Sequence, residues 1–305
     1  MATAKKTATP RKKALPTSEK IRSALKHKPY RMLENRRLDT GNVGLNAVFG
    51  DHKTGIRVPS IIELSGQPSS GKSVIATDIG AVAQAAGFIV GLLDFEQSFD
   101  EKWSTTRGLK CGPEEEQFTL LQPYLGTVGT EKEPHLITGE ELLKEAEHWM
   151  KAVRAADRNP FLILDSVASI MPEGAAQDEI DDQNMRNDQA LPKLMSRLMP
   201  RWIGVVASCG GVAIFINQLR QKPGIAFGDP WYSNGGNALP FYAHVRVRMR
   251  RKGKDSGKMR LGSDIIGIKG LMKNHKNKAG GVEGREIGYK IYNDGRAQFV
   301  KADRI

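Results

Sequence analysis

Apolar positions in this chain fall into short continuous runs separated by longer amphipathic stretches. The runs at 60–65, 88–95, 161–165 and 212–217 are apolar on successive residues, which predicts strands buried on both faces, as in a parallel sheet. Between them, the patterns near 72–86, 139–156 and 193–208 predict helices. Strand–helix alternation of this kind predicts an α/β fold built on a mainly parallel, doubly wound sheet. After residue 240 the texture changes. The run Tyr242–Arg250, the segments 264–272 and 286–292, the turn Asn293-Asp294-Gly295 and a last run at 297–300 predict antiparallel hairpins at the C-terminal end. No internal repeat is found.

The N-terminal segment has a different character. Residues 1–16 are dense in Lys, Thr and Ala without apolar periodicity, the composition of a disordered basic tail. Thr17 or Ser18 can cap a short helix reaching about Lys28, with Ile21, Ala24 and Leu25 on one face and Pro29 disfavouring continuation. Such a helix has to bury its stripe against its own core or a neighbouring subunit. The expected organisation is a tail (1–16), a helical oligomerisation arm (17–37) and one core domain (38–305). A chain of 305 residues suits one large domain with appendages. It has no apolar stretch of membrane-spanning length and no apolar segment behind the basic N-terminus, so a cytoplasmic protein is expected. Cys111 and Cys209 lie far apart without metal-ligand spacing, which fits structural thiols in a reducing compartment. The net charge of +12 favours a polyanionic partner.

The most specific chemistry lies directly after the first buried run. Gly66-Gln67-Pro68-Ser69-Ser70-Gly71-Lys72-Ser73 has the composition and spacing of a phosphate-binding loop, and Val74 continues into the helix that follows. Strand, loop and helix stand in the order the chemistry requires: backbone N–H groups at a helix start point at phosphate oxygens. Lys72 supplies a charge for the β- and γ-phosphates, and Ser73 a hydroxyl for Mg²⁺. These residues are expected to bind a nucleoside triphosphate.

Three strand ends carry further polar groups. Asp165 ends the run Phe161–Leu164, where an aspartate can hold the Mg²⁺ hydration shell or simply cap the next turn. Glu96, in Leu92-Leu93-Asp94-Phe95-Glu96, is placed to orient water for hydrolysis. Asp100 and Trp103 follow on the next helical turn; the indole could stack on adenine or serve as a core or interface aromatic. Gln218 ends the run 212–217, where an amide can distinguish tri- from diphosphate. The segment 219–239 after it is long and Gly-rich, either a functional loop or a flexible insertion.

In combination, the segments GQPSSGKS, LLDFEQSFD, FLILDSVAS and IFINQLRQKPGIAFGDPWYSNGGNALPFYAHVRVRMRR resemble the RecA family of DNA strand-exchange recombinases, in order and with similar intervals from about Leu38 to Asn274. The resemblance implies an ATPase using ATP and Mg²⁺ that forms helical filaments on single-stranded DNA and pairs it with homologous double-stranded DNA. It further implies that Glu96 is the catalytic glutamate, with Lys72 and Gln218 also in the catalytic set, and that Asp100 and Trp103 contact adenine. Asp165 is the implied Mg²⁺-associated aspartate and Gln218 the implied γ-phosphate sensor. Arg220, Lys222, Gly235, Gly236 and Asn237 match positions that hold the DNA backbone. Pro223 and Met185 match the wedges that separate base triplets, Met185 in a first DNA loop at about 173–192. Lys273 corresponds to a lysine of a Lys-Asn-Lys pair reaching the neighbouring subunit's nucleotide, with His275 interrupting the pair and Lys276 as the second candidate. The family's separate C-terminal domain and acidic tail have no counterpart, which suggests a phage-encoded or otherwise minimal recombinase in the cytoplasm of a bacterium or phage host. Two other readings share these motifs: a hexameric motor such as a helicase or RadA-like branch-migration protein, and a filament-forming DNA-binding protein that uses ATP only as an assembly switch.

Overall fold

The computed structural model describes residues 36–126, 135–173, 189–221, 229–253 and 255–305. The expected tail and residues 17–35 of the expected arm lie outside them. The described chain opens with β1 (Arg36–Leu38), so the arm boundary drawn at residue 37 falls inside a strand. Helix α1 (Val43–Phe49) is capped by Asn42, whose side chain accepts the Leu45 N–H, and β2 (Ile56–Val58) returns antiparallel to β1.

The main body then follows in the expected alternation: β3 (Ser60–Gly66), α2 (Lys72–Ala85), β4 (Phe88–Asp94), α3 (Glu101–Thr106) and β5 (Phe118–Leu121). A short antiparallel pair, β6 (Leu125–Gly126) and β7 (His135–Leu136), precedes α4 (Gly139–Ala155), β8 (Asn159–Asp165), α5 (Ala190–Cys209) and β9 (Val212–Gln221). Next come β10 (Trp231–Ser233), α6 (Ala238–Tyr242), β11 (Val245–Arg251), β12 (Lys258–Leu261), β13 (Asp264–Asn277), β14 (Glu286–Tyr292) and β15 (Ala297–Lys301).

One large sheet runs in the order β15-β14-β13-β11-β3-β9-β8-β4-β5. From β11 to β5 every neighbouring pair is parallel, and β13 to β15 extend the sheet antiparallel. This is the expected α/β architecture with two corrections. The Tyr242–Arg250 run, read as the start of the hairpins, contains β11, which pairs antiparallel with β13 as expected but on its other side joins the parallel core beside β3. The segment 219–239 is not all loop. Leu219–Gln221 continue β9 and pair with Trp231–Ser233, because Leu219 and Ser233 are buried and prolong the ladder.

Alternation along each central strand sends its side chains to two separate cores. Ile62 and Leu64 of β3, Phe161 and Ile163 of β8, and Ile214 and Ile216 of β9 pack with α1 and α2. Ile61, Leu162, Leu164, Ala213 and Phe215 face α4 and α5, where Met150, Met195, Met199 and Trp202 fill the layer. Both sheet faces are therefore covered, which leaves the strand ends as the accessible polar edge. Among the described residues, no helix is long and apolar enough to cross a membrane.

On the second face, α4 begins with a capping box between Thr138 and Glu141, which satisfies two otherwise unpaired N–H groups. Its buried Glu147 accepts two hydrogen bonds from Arg201 of α5, at 2.6 and 2.7 Å, and one from Lys151 at 2.5 Å. The Arg201 hydrogen bonds lead in holding the Glu147 carboxyl down at about 2. Because the folded value lies below the unfolded one, this stabilisation is present above the unfolded pKa and is lost as pH falls from about 4.5 towards 2. Glu147→Gln is expected to lower stability at pH 7 by on the order of 1–2 kcal/mol, discounted for the solvent reaching Arg201 and Lys151. Urea unfolding of the variant should show a shallower loss of stability across that acid window. An acid limb as steep as in the parent chain would contradict the assignment.

Candidate functional site

The sheet register gathers the candidate residues at one edge. Gly66 at the end of β3 lies opposite Gln218 of β9, and Asp94 of β4 lies opposite Asp165 of β8. The phosphate-loop sequence leaves β3 at this edge and enters α2 at Lys72, with Gly71 at its N-cap in the left-handed region (φ 87°). A Cβ at Gly66 would stand 2.7 Å from the Met249 carbonyl oxygen and from Ser70 Oγ, and one at Gly71 would stand 2.5 Å from Ile291 Cδ1. The loop is therefore a cradle that side chains at either glycine would fill. Lys72 is buried and its Nζ donates to the Gln67 carbonyl at 3.0 Å. Burial pulls its pKa down, against the upward pull of the Asp165 and Glu96 charges.

Ser73 and Asp165 line the same small cavity. Burial is the main cause pushing the Asp165 carboxyl up to about 6; the Ser73 hydroxyl opposes it, and the Glu96 and Asp94 charges add to the rise. Asp94 is buried too. Its Oδ2 accepts from Phe99 N and Gln122 Nε2, while Oδ1 has no hydrogen-bond partner among the described residues. Hydroxyl and carboxylate oxygens crowded in this way suit a hard cation such as Mg²⁺. Among the described residues there is no cluster of three or more His, Cys, Asp or Glu able to hold a metal by itself.

Glu96 projects from the chain beyond β4, anchored where Phe95 N donates to the Asp165 carbonyl at 2.7 Å. Its Oε1 accepts from Ser166 Oγ at 2.5 Å, from Ser169 Oγ at 3.4 Å and from Gln218 Nε2 at 3.4 Å. Ser166 and Ser169 were not singled out in the sequence. The available signal is Ser166 directly after Asp165, with Ser169 three residues further on.

Asp100 takes a local role: it is the N-cap of α3, its Oδ1 accepting from Trp103 N at 2.8 Å. Trp103 is half-buried, with the Arg107 guanidinium 5.6 Å from the ring centroid. Both residues line a cavity of about 90 Å³ together with Ser73, Val74, Asp94 and Asp165. Arg107 fixes this corner. It is buried, pairs with Asp78 of α2 through two nitrogens and donates to the Gly295 carbonyl at 2.7 Å. The turn between β14 and β15 thus braces α3, a contact that nothing local in the sequence announces.

The other side of the site leads into the β9–β10 hairpin. Arg220 is exposed there, opposite Tyr232. The Asn217 amide is fully buried and ties three segments together. Its Oδ1 accepts from Gln218 N at 2.9 Å, and its Nδ2 donates to the Asn234 carbonyl at 3.0 Å and to Glu63 Oε1 at 3.3 Å. Glu63, also fully buried, pairs with Arg246 Nε at 2.5 Å. Gly235 and Gly236 follow in two consecutive left-handed conformations, φ 81° and 75°. They pack against Leu191, Pro192 and Met195 of α5, and exposed Asn237 leads into α6. Met185, Lys222 and Pro223 lie outside the described residues.

Lys273 is exposed on β13 and lines a basic groove of about 780 Å³ with Arg248, Arg250, Arg251, Lys252 and His275. Three residues on, Lys276-Asn277-Lys278 forms an uninterrupted Lys-Asn-Lys run. Lys276 Nζ donates to the Pro240 and Phe241 carbonyls of α6, at 2.9 and 2.6 Å.

Comparison with known proteins matches the sequence to one family. A family model described as the RecA N-terminal domain matches residues 23–295. Protein RecA of Rhodopirellula baltica is 34% identical over 241 residues, 79% of this chain and 56% of the relative. Protein RecA 1 of Myxococcus xanthus is 33% identical over 79% of this chain and 62% of its own length, and Protein RecA of Geobacter sulfurreducens 32% over 84% and 66%. The chain thus spans about three fifths of the length of the curated relatives it matches. By the extent of the family match and by these identities, the chain belongs to the RecA family.

Proposed function

We propose that this chain is a DNA-dependent ATPase that assembles as a filament on single-stranded DNA and pairs it with a homologous duplex in strand exchange. The observation that carries the reading is the hydrogen bond between Gln218 and Glu96. It joins the residue placed to direct water to the strand that continues into the hairpin bearing Arg220.

In this reading the loop from Gly66 to Ser73 takes the triphosphate of ATP, Lys72 sets its charge beside the β- and γ-phosphates, and Val74, Asp100 and Trp103 stand along the nucleotide. Ser73 and Asp165 would hold Mg²⁺, which when bound supplies positive charge to the phosphate oxygens. Glu96 orients the attacking water and takes its proton, with Ser166 and Ser169 setting the carboxylate's direction. Gln218 exchanges its Glu96 contact for the γ-phosphate, and Asn217 passes the change to Asn234 and the Gly235–Gly236 turn. Arg220, Lys222 and the turn through Asn237 bind the DNA backbone, with Met185 and Pro223 as wedges between bases. A neighbouring protomer completes the nucleotide site with a cation from β13; comparing Lys273→Ala with Lys276→Ala in DNA-stimulated turnover identifies which one.

Electron microscopy with ATP and single-stranded DNA tests the assembly. An open helical filament is expected, whereas a closed ring would favour a hexameric motor. Backbone binding also predicts affinity that is indifferent to base sequence and steeply salt-dependent. Arg220→Ala is expected to reduce the slope of log K against log salt by about one. Sequence-specific binding that persists at high salt would count against the reading.

A further inference from the structure

The phosphate loop is gripped by a strand outside the parallel core. Tyr289 of β14 is fully buried, and its hydroxyl donates to the Ser70 carbonyl oxygen at 2.7 Å. Burial pushes the phenol's pKa upward, so the group remains a protonated donor. The neighbouring strand leaves room for it: opposite Tyr289 in the register is Gly270, where a Cβ would come within 2.4 Å of the tyrosine hydroxyl. Two residues further along β14, Ile291 packs where a Cβ of Gly71 would be. One strand therefore holds the Ser70 carbonyl and packs beside Gly71.

The Ser70–Gly71 peptide is trans, since the only cis bonds among the described residues are at Val58–Pro59 and Asp165–Ser166. In a planar trans peptide the C=O and the following N–H point to opposite sides. Holding the Ser70 carbonyl against Tyr289 therefore turns the Gly71 N–H away from β14. A flipped peptide would instead turn a carbonyl oxygen away from β14, and so present an acceptor to an anion in the cradle.

We propose that Tyr289 is a positioning residue for nucleotide binding, its hydroxyl fixing the Ser70–Gly71 peptide so that the Gly71 N–H faces the β-phosphate. This rests on the nucleotide reading given above. The role differs from those of Glu96 and Gln218, because a β-phosphate donor serves ATP and ADP alike and does not act on water.

The test is Tyr289→Phe, which removes the hydroxyl and keeps the ring. Dissociation constants for Mg-ATP and Mg-ADP are measured by calorimetry, beside kcat at saturating ATP and thermal unfolding without nucleotide. Both constants should rise about 3–10-fold, the usual weight of one buried hydrogen bond, with kcat within about twofold. Tyr289→Met, which also lacks the hydroxyl but still fills the buried position, should weaken both nucleotides in the same sense and covers the case in which the first variant does not fold. Affinities for both nucleotides within about twofold of the parent chain would overturn the proposal, whatever happens to stability. So would a fall in kcat with unchanged affinity. Lys72→Ala is the control: if it binds ATP as the parent chain does, the nucleotide reading itself fails, and the proposal with it.

Discussion

Glu96→Gln is expected to lose ATP turnover by about 10²–10⁴-fold while retaining ATP-dependent binding to single-stranded DNA. The substitution keeps the side chain's size but replaces the oxygen that takes a proton from water. Oε1 of Glu96 receives hydrogen bonds from Ser166, Ser169 and Gln218, so the carboxylate is oriented by neighbours and not by the nucleotide cradle. Nucleotide affinity should therefore remain close to that of the parent chain, because Lys72 and the loop still hold the phosphates. Lys72→Ala provides the contrast, since it removes a charge from the phosphates and should weaken nucleotide binding directly. Single-turnover hydrolysis and filter binding on the same preparations separate the two. Normal hydrolysis by the Glu96 variant would remove this residue from the mechanism and revive a protein that uses ATP only for assembly.

Gln218→Ala should abolish the mutual enhancement between nucleotide and DNA. Coupling of this kind is commonly 5–150-fold in affinity and acts equally in both directions. Gln218 stands at the junction: its side chain reaches Glu96, its N–H is held by Asn217, and its carbonyl accepts from Asn234 N at 3.4 Å. The variant should bind ATP through the loop and bind DNA weakly through its basic residues. DNA affinity with ADP and with a slowly hydrolysed ATP analogue should become equal, and DNA should no longer stimulate turnover. A full nucleotide-dependent difference in the variant would move the sensor elsewhere, to the lysines of β13.

Much of the parallel core could be read from the chain because its signals are local. Continuous apolar runs mark strands that must be covered on both faces, and the sequence Gly66–Ser73 carries its own turn, charge and helix start. The parallel partner of β11 could not be read, although its antiparallel pairing with β13 was expected. Its alternating burial, with Val245, Val247 and Met249 inside, is the same whether its neighbour runs parallel or antiparallel. Only the path through α6 decides that it lies parallel to β3. The hairpin within 219–239 was hidden for a related reason, because loop composition does not report the burial of Leu219 and Ser233 that prolongs the ladder.

What the sequence determined by itself is the fold class, the phosphate loop and the polar residue type at each strand end, all properties of short segments. What the tertiary structure decided is which of these residues meet. Glu96 touches Gln218 across 122 positions of chain, Arg107 joins Asp78 to Gly295, and Tyr289 reaches Ser70 across 219 positions. Such contacts depend on strand order and register, which are set by how two cores pack on opposite faces of one sheet. Local propensity carries no record of that long-range choice.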